Sequence, residues 1–309
     1  MFSIHEIEGR EGVIQYRREH LTDLRCRVST ERIKRALDTP FVPSPPPPDC
    51  PFCPGRVLQE TPTFPDGNRI MIGESITFPN LFPFAKTHTV TVITAAHHVE
   101  QFTRKQIADA LRGQLTSLAN ARGYPSINWN NLSSAGASIM HPHLQGIVDD
   151  GPTTIGDRYL VGSRRYAQER GRNYWDDLVS HERLSGRYLF GDEVAWMTGA
   201  VPLGEREIRA VLPVQTLQEF DRCIDEFSEG LVRVLAFYRS LGHRAFNLSI
   251  YFDRERGDTG FSAFCIMIAR INPNPASTSD TAFMERLHLE PVILTKPEDL
   301  AAEFRTFSR

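Results

Sequence analysis

Hydrophobic and polar positions alternate along Thr89-Val90-Thr91-Val92-Ile93-Thr94, which predicts a strand. From Thr103 to Ala121 the apolar residues recur at helical spacing, and Thr103 is placed to cap that helix at its start. A second strand is expected to begin over Ser126–Trp129, and a third follows from His141 to Val148. The order then returns. Ile208-Arg209-Ala210-Val211-Leu212-Pro213 reads as a strand, Gln218-Glu219-Phe220 echoes Glu100-Gln101-Phe102, and a helix of similar length runs on to Ser240. Gly242 and Asn247 fall 119 residues after Gly123 and Asn128, which points to one fold used twice. The same offset carries His141 and His143 onto Gly260 and Ser262, in a segment without histidine. Chemistry is therefore expected in the first half alone.

Pro43-Ser44-Pro45-Pro46-Pro47-Pro48 can form neither a helix nor a central strand, so it predicts a stiff connector that sets residues 1–42 apart as an N-terminal arm. The 309 residues suffice for one large or two ordinary domains, and 40% of them are hydrophobic. A net charge of -3 gives no general attraction for nucleic acid or an anionic membrane. No apolar run nears the ~20 residues of a membrane span, and Met1-Phe2-Ser3-Ile4-His5-Glu6 lacks the pattern of a secretion signal, so a cytoplasmic protein is expected. Of five cysteines only Cys50 and Cys53 are close in sequence, which favours reduced thiols over a disulfide framework.

The candidate chemistry centres on His141-Pro142-His143-Leu144-Gln145. Two histidines one residue apart on a strand point to one face, and a glutamine two residues further joins them there. Just before them, Ser133-Ser134-Ala135-Gly136-Ala137-Ser138-Ile139-Met140 is small and polar enough for backbone N–H groups and hydroxyls to approach a phosphate. Cys50-x-x-Cys53 has the spacing of a pair of thiolates on one metal, and His97, His98, His141 and His143 are candidates for the remaining ligands. Either both histidines of the pair bind metal, or one fixes the strand while the other is free to act.

With these features together, the chain resembles galactose-1-phosphate uridylyltransferase and its relatives in the histidine-triad superfamily. The resemblance implies an α+β fold of two histidine-triad-like halves, residues 43–155 and 156–309, built on an antiparallel or mixed sheet with helices packed on it. It implies one structural zinc on Cys50, Cys53, His98 and His141, with His98 chosen over His97 by its four-residue spacing to Phe102. No second metal is expected. His143 takes the role of nucleophile, and Gln145 that of a donor to a non-bridging phosphate oxygen. Arg32 and Arg35 match an Arg-x-x-Arg pair that meets substrate phosphates, across a dimer interface in the family; Asn130 and Ser138 match phosphate-contacting positions. Asn80, in Phe78-Pro79-Asn80-Leu81-Phe82-Pro83, matches the nucleoside-binding segment.

Two stretches depart from the family pattern. Leu81 stands where an aspartate often holds the ribose hydroxyls, and Phe283–Glu290 rewrites the hexose-phosphate loop, leaving Arg286 and His288 as candidate contacts. The expected activity is nucleotidyl transfer between a nucleoside diphosphate sugar and a sugar 1-phosphate through a nucleotidyl-histidine, in a homodimer. The rivals are a phosphorylase or hydrolase using the same histidine, a zinc hydrolase with both histidines on an open metal, and a zinc-stabilised nucleotide sensor without turnover.

Overall fold

The computed structural model describes residues 1–9, 12–35, 49–271 and 280–308. In chain order its strands are β1 (Phe2–Gly9), β2 (Gly12–Glu19), β3 (Arg25–Val28), β4 (Ile70–Ile72), β5 (Ser75–Pro79), β6 (Thr87–Val92) and β7 (Tyr124–Asn131). They continue with β8 (His143–Asp149), β9 (Tyr188–Phe190), β10 (Ala195–Thr198), β11 (Ile208–Val211), β12 (Phe246–Tyr251), β13 (Phe264–Ala269) and β14 (Val292–Ile293). The α-helices are α1 (Val57–Glu60), α2 (Arg104–Leu118), α3 (Thr154–Arg170), α4 (Tyr174–Arg183), α5 (Ile224–Ser240), α6 (Phe283–Leu287) and α7 (Pro297–Phe307).

Ten strands form one sheet in the order β4-β5-β6-β8-β7-β12-β13-β11-β10-β9. Read outward from the β7–β12 seam, each half contributes five strands in the same relative order, and α2 and α5 occupy matching places. The expected duplication is thus present as two like halves sharing a sheet. Every pairing in this sheet is antiparallel, including the seam, where Asn130 faces Asn247 and Asn128 faces Ser249. The four remaining strands form a smaller mixed sheet, β1-β2-β3-β14, in which β14 runs parallel to β3.

Local sequence explains the central elements. Thr103 caps α2 through a reciprocal box: its hydroxyl accepts from the Gln106 N–H at 3.2 Å and its own N–H donates to Gln106 Oε1 at 2.9 Å. Ile107, Ala108, Leu111 and Leu118 then bury one side of the helix. In β6 the alternation sends Thr89 and Thr91 toward α2, where the buried Gln114 bridges them with bonds of 2.9 and 2.8 Å. His88, Val90 and Val92 consequently point to the opposite face.

Those two faces have different fates. The helix face is closed by α2, α5 and α7 over one continuous apolar core, with the Trp129 ring set edge-on between Phe102 and Phe246 at 5.0 and 4.9 Å. The opposite face is covered in the second half by α3, α4 and the turn after β2, which brings Leu21 and Leu24 against Tyr159, Trp175 and Phe264. In the first half it carries the Cys50–Val57 segment, whose Phe52 packs on Phe78, Val90 and Val92. The histidines of the HPH motif lie beside that segment.

Buried charges fasten the small sheet to the large one. Arg17 of β2 donates to Glu298 of α7 at 2.8 Å, and Arg187 reaches the same carboxylate at 2.9 Å. Arg209 of β11 pairs with Glu207 and with Glu19 of β2, and Tyr159 closes the cluster by donating to Glu19 at 3.1 Å. Each charge is paired, as burial requires.

Candidate active site and metal centre

His143 opens β8, and its alternation places His143 and Gln145 on the face away from α2, while Leu144 enters the helix-side core. The His143 ring is buried edge-on against Phe52, with centroids 5.3 Å apart. Its Nδ1 lies 2.8 Å from the His141 carbonyl. A carbonyl only accepts, so the proton sits on Nδ1 and the Nε2 lone pair is free. Burial lowers the affinity of this ring for a second proton, against the opposing pull of the His141 carbonyl. The arrangement is a neutral imidazole with one nucleophilic nitrogen.

Gln145 is oriented by a residue the sequence did not single out. His88 Nε2 lies 2.9 Å from Gln145 Oε1, and its Nδ1 lies 3.4 Å from the Phe84 N–H. With the proton on Nε2 both contacts are satisfied, and the Gln145 oxygen is occupied. Its amide N–H groups are then the part left to meet a ligand. Burial lowers the pKa of His88, and the Gln145 bond and the Asp149 charge offset that shift only in part. Asn80 lies over the same ring, its Nδ2 3.0 Å from His88 Nε2, and its Oδ1 accepts from the Phe82 N–H at 2.9 Å.

The thiols of Cys50 and Cys53 converge with His97 and His141, and the four candidate ligand atoms lie within 4.8 Å of one another. His141 Nε2 donates to the Thr94 carbonyl at 2.7 Å, leaving Nδ1 turned to Cys53 and Cys50 at 3.7 and 4.0 Å. His97 Nδ1 stands 3.4 Å from Cys53 Sγ. Tetrahedral zinc with ordinary Zn–S and Zn–N bonds sets sulfur and nitrogen roughly 3.5 Å apart, so the cluster has the right size. The carbonyl behind His141 is the kind of outer partner that fixes a metal-binding tautomer. The buried His97 ring turns Nδ1 toward Cys53, so that nitrogen would be its metal ligand, while Nε2 has no partner among the described residues. Together these residues fit one zinc.

The residue grouped with Cys50, Cys53 and His141 is thus His97, where His98 was expected. His98 is exposed, its ring lying 4.8 Å from that of His97 on the outer side. The four-residue spacing to Phe102 spans an irregular stretch of bends and coil ahead of α2, whose first helical residue is Arg104, so it does not fix which ring turns toward the thiols.

The other expected site residues separate into two places. Asn130 lies near the end of β7; continuing the pairing of Asn128 with Gln145 by two places sets it level with His143. Ser138 is exposed in the loop leading to the histidines, and Gly136 in that loop holds φ at 87° with open space where a side chain would project. Arg32 instead lines a cavity of about 690 Å³ beside α6 and β14, together with Arg270 and Arg286. No contact among the described residues links Arg32 to His143, and the Arg35 side chain lies outside those described.

Solved structures share this architecture over nearly its whole length. An ADP-glucose phosphorylase of Arabidopsis thaliana, solved with bound ADP-glucose, superimposes with a TM-score of 0.76 at 17% identity, over 94% of this chain and 98% of the other. A galt-like protein of the same plant gives 0.72 at 17% identity over the same shares. A uridylyltransferase structure gives 0.70 at 16% identity, over 94% and 97%. The chain shares the fold of these uridylyltransferase and ADP-glucose phosphorylase structures. No protein-family model matches the chain. An uncharacterized protein of Archaeoglobus fulgidus is 27% identical over 266 residues, 83% of this chain and 80% of its own.

Both stretches that depart from the family pattern in sequence expose apolar side chains. Leu81 leaves its side chain 61% exposed beside Asn80, and Phe82 and Phe84 follow it on the surface. Phe283, Leu287 and Leu289 are likewise exposed around α6. One residue of the site escaped the sequence reading, and another was named there but passed over. His88 sits in a run that looks like any half-buried strand, although its alternation with Val90 and Val92 places it on the histidine face. His97 was outweighed by a spacing argument.

Proposed function

We propose that the protein is a nucleotidyltransferase that acts through His143. The observation that carries this reading is the His143 tautomer: a buried ring with its proton held on Nδ1 by the His141 carbonyl and a free Nε2 on the face that also holds Gln145. Nε2 attacks the α-phosphorus of a nucleoside diphosphate sugar, an N–P bond forms, and the bond to the bridging oxygen breaks, releasing a sugar 1-phosphate. An acceptor phosphate oxygen then attacks the same phosphorus and the N–P bond breaks. No proton has to leave Nε2, and the Nδ1–H bond to the carbonyl steadies the cationic ring of the intermediate.

Gln145, with its oxygen held by His88, donates to a non-bridging oxygen as charge develops there. Asn130 and Ser138 are the nearby phosphate contacts, and Asn80 lies toward the nucleoside. Arg32 and Arg35 complete the phosphate site if a second protomer brings them to it, which makes a homodimer part of the proposal. Zinc bound by Cys50, Cys53, His97 and His141 would be structural, because four protein ligands leave no position for water. The halves divide at residues 43–155 and 156–309 behind an arm of 1–42, and the protein works in the cytoplasm.

A second acceptor deserves equal testing, because Phe283–Glu290 departs from the hexose-phosphate loop: inorganic phosphate, which would make the enzyme a phosphorylase. Intact-protein mass spectrometry after brief mixing with UDP-, ADP-, GDP- and dTDP-sugars tests the central step. A nucleoside monophosphate adduct on the native chain and none on His143→Ala is expected, and adding phosphate or a sugar 1-phosphate to the adduct identifies the acceptor by its product. No adduct from a folded, zinc-loaded sample with any donor would overturn the double displacement for these donors.

A further inference from the structure

The second half has no histidine pair, yet it meets the site across the β7–β12 seam. Asn247 of β12 faces Asn130 of β7 in register, and its side-chain contacts leave one orientation. On one side, Arg270 Nη1 lies 2.7 Å from the Asn247 oxygen; a guanidinium only donates, so the atom facing it is Oδ1. On the other side, Asn247 Nδ2 lies 2.8 Å from the Ala135 carbonyl and 2.6 Å from an atom of the Asn130 amide. Its hydrogens face the carbonyl and Asn130, so the Asn130 atom it meets must be the acceptor, Oδ1. Arg270 is itself anchored: its Nε donates to Asp280 at 2.7 Å, Nη2 bonds the same carboxylate, and Asp280 also accepts from the Ile271 N–H at 3.0 Å.

We propose that Asn247, locked by Arg270 and Asp280, is a positioning residue that turns the Asn130 amide so that its N–H groups face the phosphates beside His143. The inference rests on the nucleotide reading of the site. It parallels the His88–Gln145 pair, so both amides have their oxygens occupied by protein and their donors free among the described residues. The second half thus sets donor polarity in the first. The substitution Asn247→Asp keeps the acceptor that Arg270 needs but sets an acceptor against Asn130 Oδ1. The Asn130 amide then has to turn its N–H groups inward and present its oxygen to the phosphates.

The test uses the full chain with ADP and UDP as probes. In 1H–15N spectra the Asn130 side-chain amide, identified by its loss in Asn130→Asp, is expected to shift on titration together with that of Gln145. Movement at Gln145 without movement at Asn130 would overturn the positioning role alone. Movement at neither, with both nucleotides, would overturn the nucleotide site and this role with it. Dissociation constants supply the second arm: Asn247→Asp should weaken the tighter nucleotide about 10–100-fold in the native background and less than about twofold in Asn130→Ala. Equal losses in the two backgrounds would make Asn247 a packing residue and refute the proposal. Should Asn247→Asp fail to fold, the titration of the native protein decides.

Discussion

Glu298 is the carboxylate on which three parts of the chain converge, and replacing it by glutamine tests how the small sheet is held. It receives two bonds from Arg17, at 3.1 and 2.8 Å, and one from Arg187 at 2.9 Å. Burial works to raise its pKa, but the hydrogen bonds and charge of Arg17, reinforced by Arg187, outweigh burial and lower it from 4.5 to about 2. Displacement over that range corresponds to about 3.4 kcal/mol at most. The side chain keeps 35% of its surface in contact with solvent, which screens the pair and brings the expected share to about 1.5–2 kcal/mol. Arg17 is 1% exposed, yet it keeps bonds to Gln15 Oε1 and the Ala200 carbonyl, so Glu298→Gln does not strand it.

A loss of about 2 kcal/mol at pH 7 should lower the melting temperature by about 3 °C. Because the folded pKa is the depressed one, the contribution is fully present above pH 4.5 and is lost as pH falls toward 2. Urea denaturation of both proteins from pH 7 to pH 3 should therefore show the native advantage shrinking below about pH 4.5. An advantage that stays flat across that range, or one under about 0.5 kcal/mol at pH 7, would refute the assignment.

Two further outcomes follow from the geometry. Metal analysis by mass spectrometry should find about one zinc per chain in the native protein and in His98→Ala, whereas His97→Ala should bind zinc roughly 100-fold more weakly, a ligand being worth about 3 kcal/mol; equal zinc retention in the two variants would contradict the ligand set. Gly146→Ala should cost about 1–3 kcal/mol by overpacking, read from the urea midpoint, because its Cβ would press on Gln114 Oε1, lie 2.8 Å from Leu118 Cδ1 and sit 3.0 Å from Thr89 Oγ1; an unchanged midpoint would mean that the α2 interface yields freely.

The elements most legible in the sequence were those whose signal is local. The Thr103 cap, the α5 helix ending at Ser240 and the strand expected over His141–Val148 all appear within two residues of their expected bounds, while α2 ends at Leu118, three residues before the expected Ala121. The duplication was legible because Gly123 and Gly242 both turn the chain with positive φ, at 136° and 85°, ahead of matching strands. What escaped depends on partners far along the chain. Nothing near Arg25–Val28 announces that it pairs with Val292–Ile293. Arg17, Glu207 and Arg209 look like surface residues until their counter-charges are known, and burial follows from those pairs. Within the site, Asn247 was noticed only as an echo of Asn128, and its contact with Asn130 comes from strand register.

The seam between the halves also limits how the chain can be divided. β7 is paired on one side by β8 and on the other by β12, with six residue pairs along the latter contact. A fragment ending before the second half would leave the β12 side of β7 as a bare edge, its N–H and C=O groups open to any passing strand. The simplest strand to fill it is β7 of another fragment, an exchange that would rebuild a ten-stranded sheet from two identical pieces. For anyone seeking a minimal version of this protein, the middle is a place where a boundary in sequence is no boundary in the folded molecule.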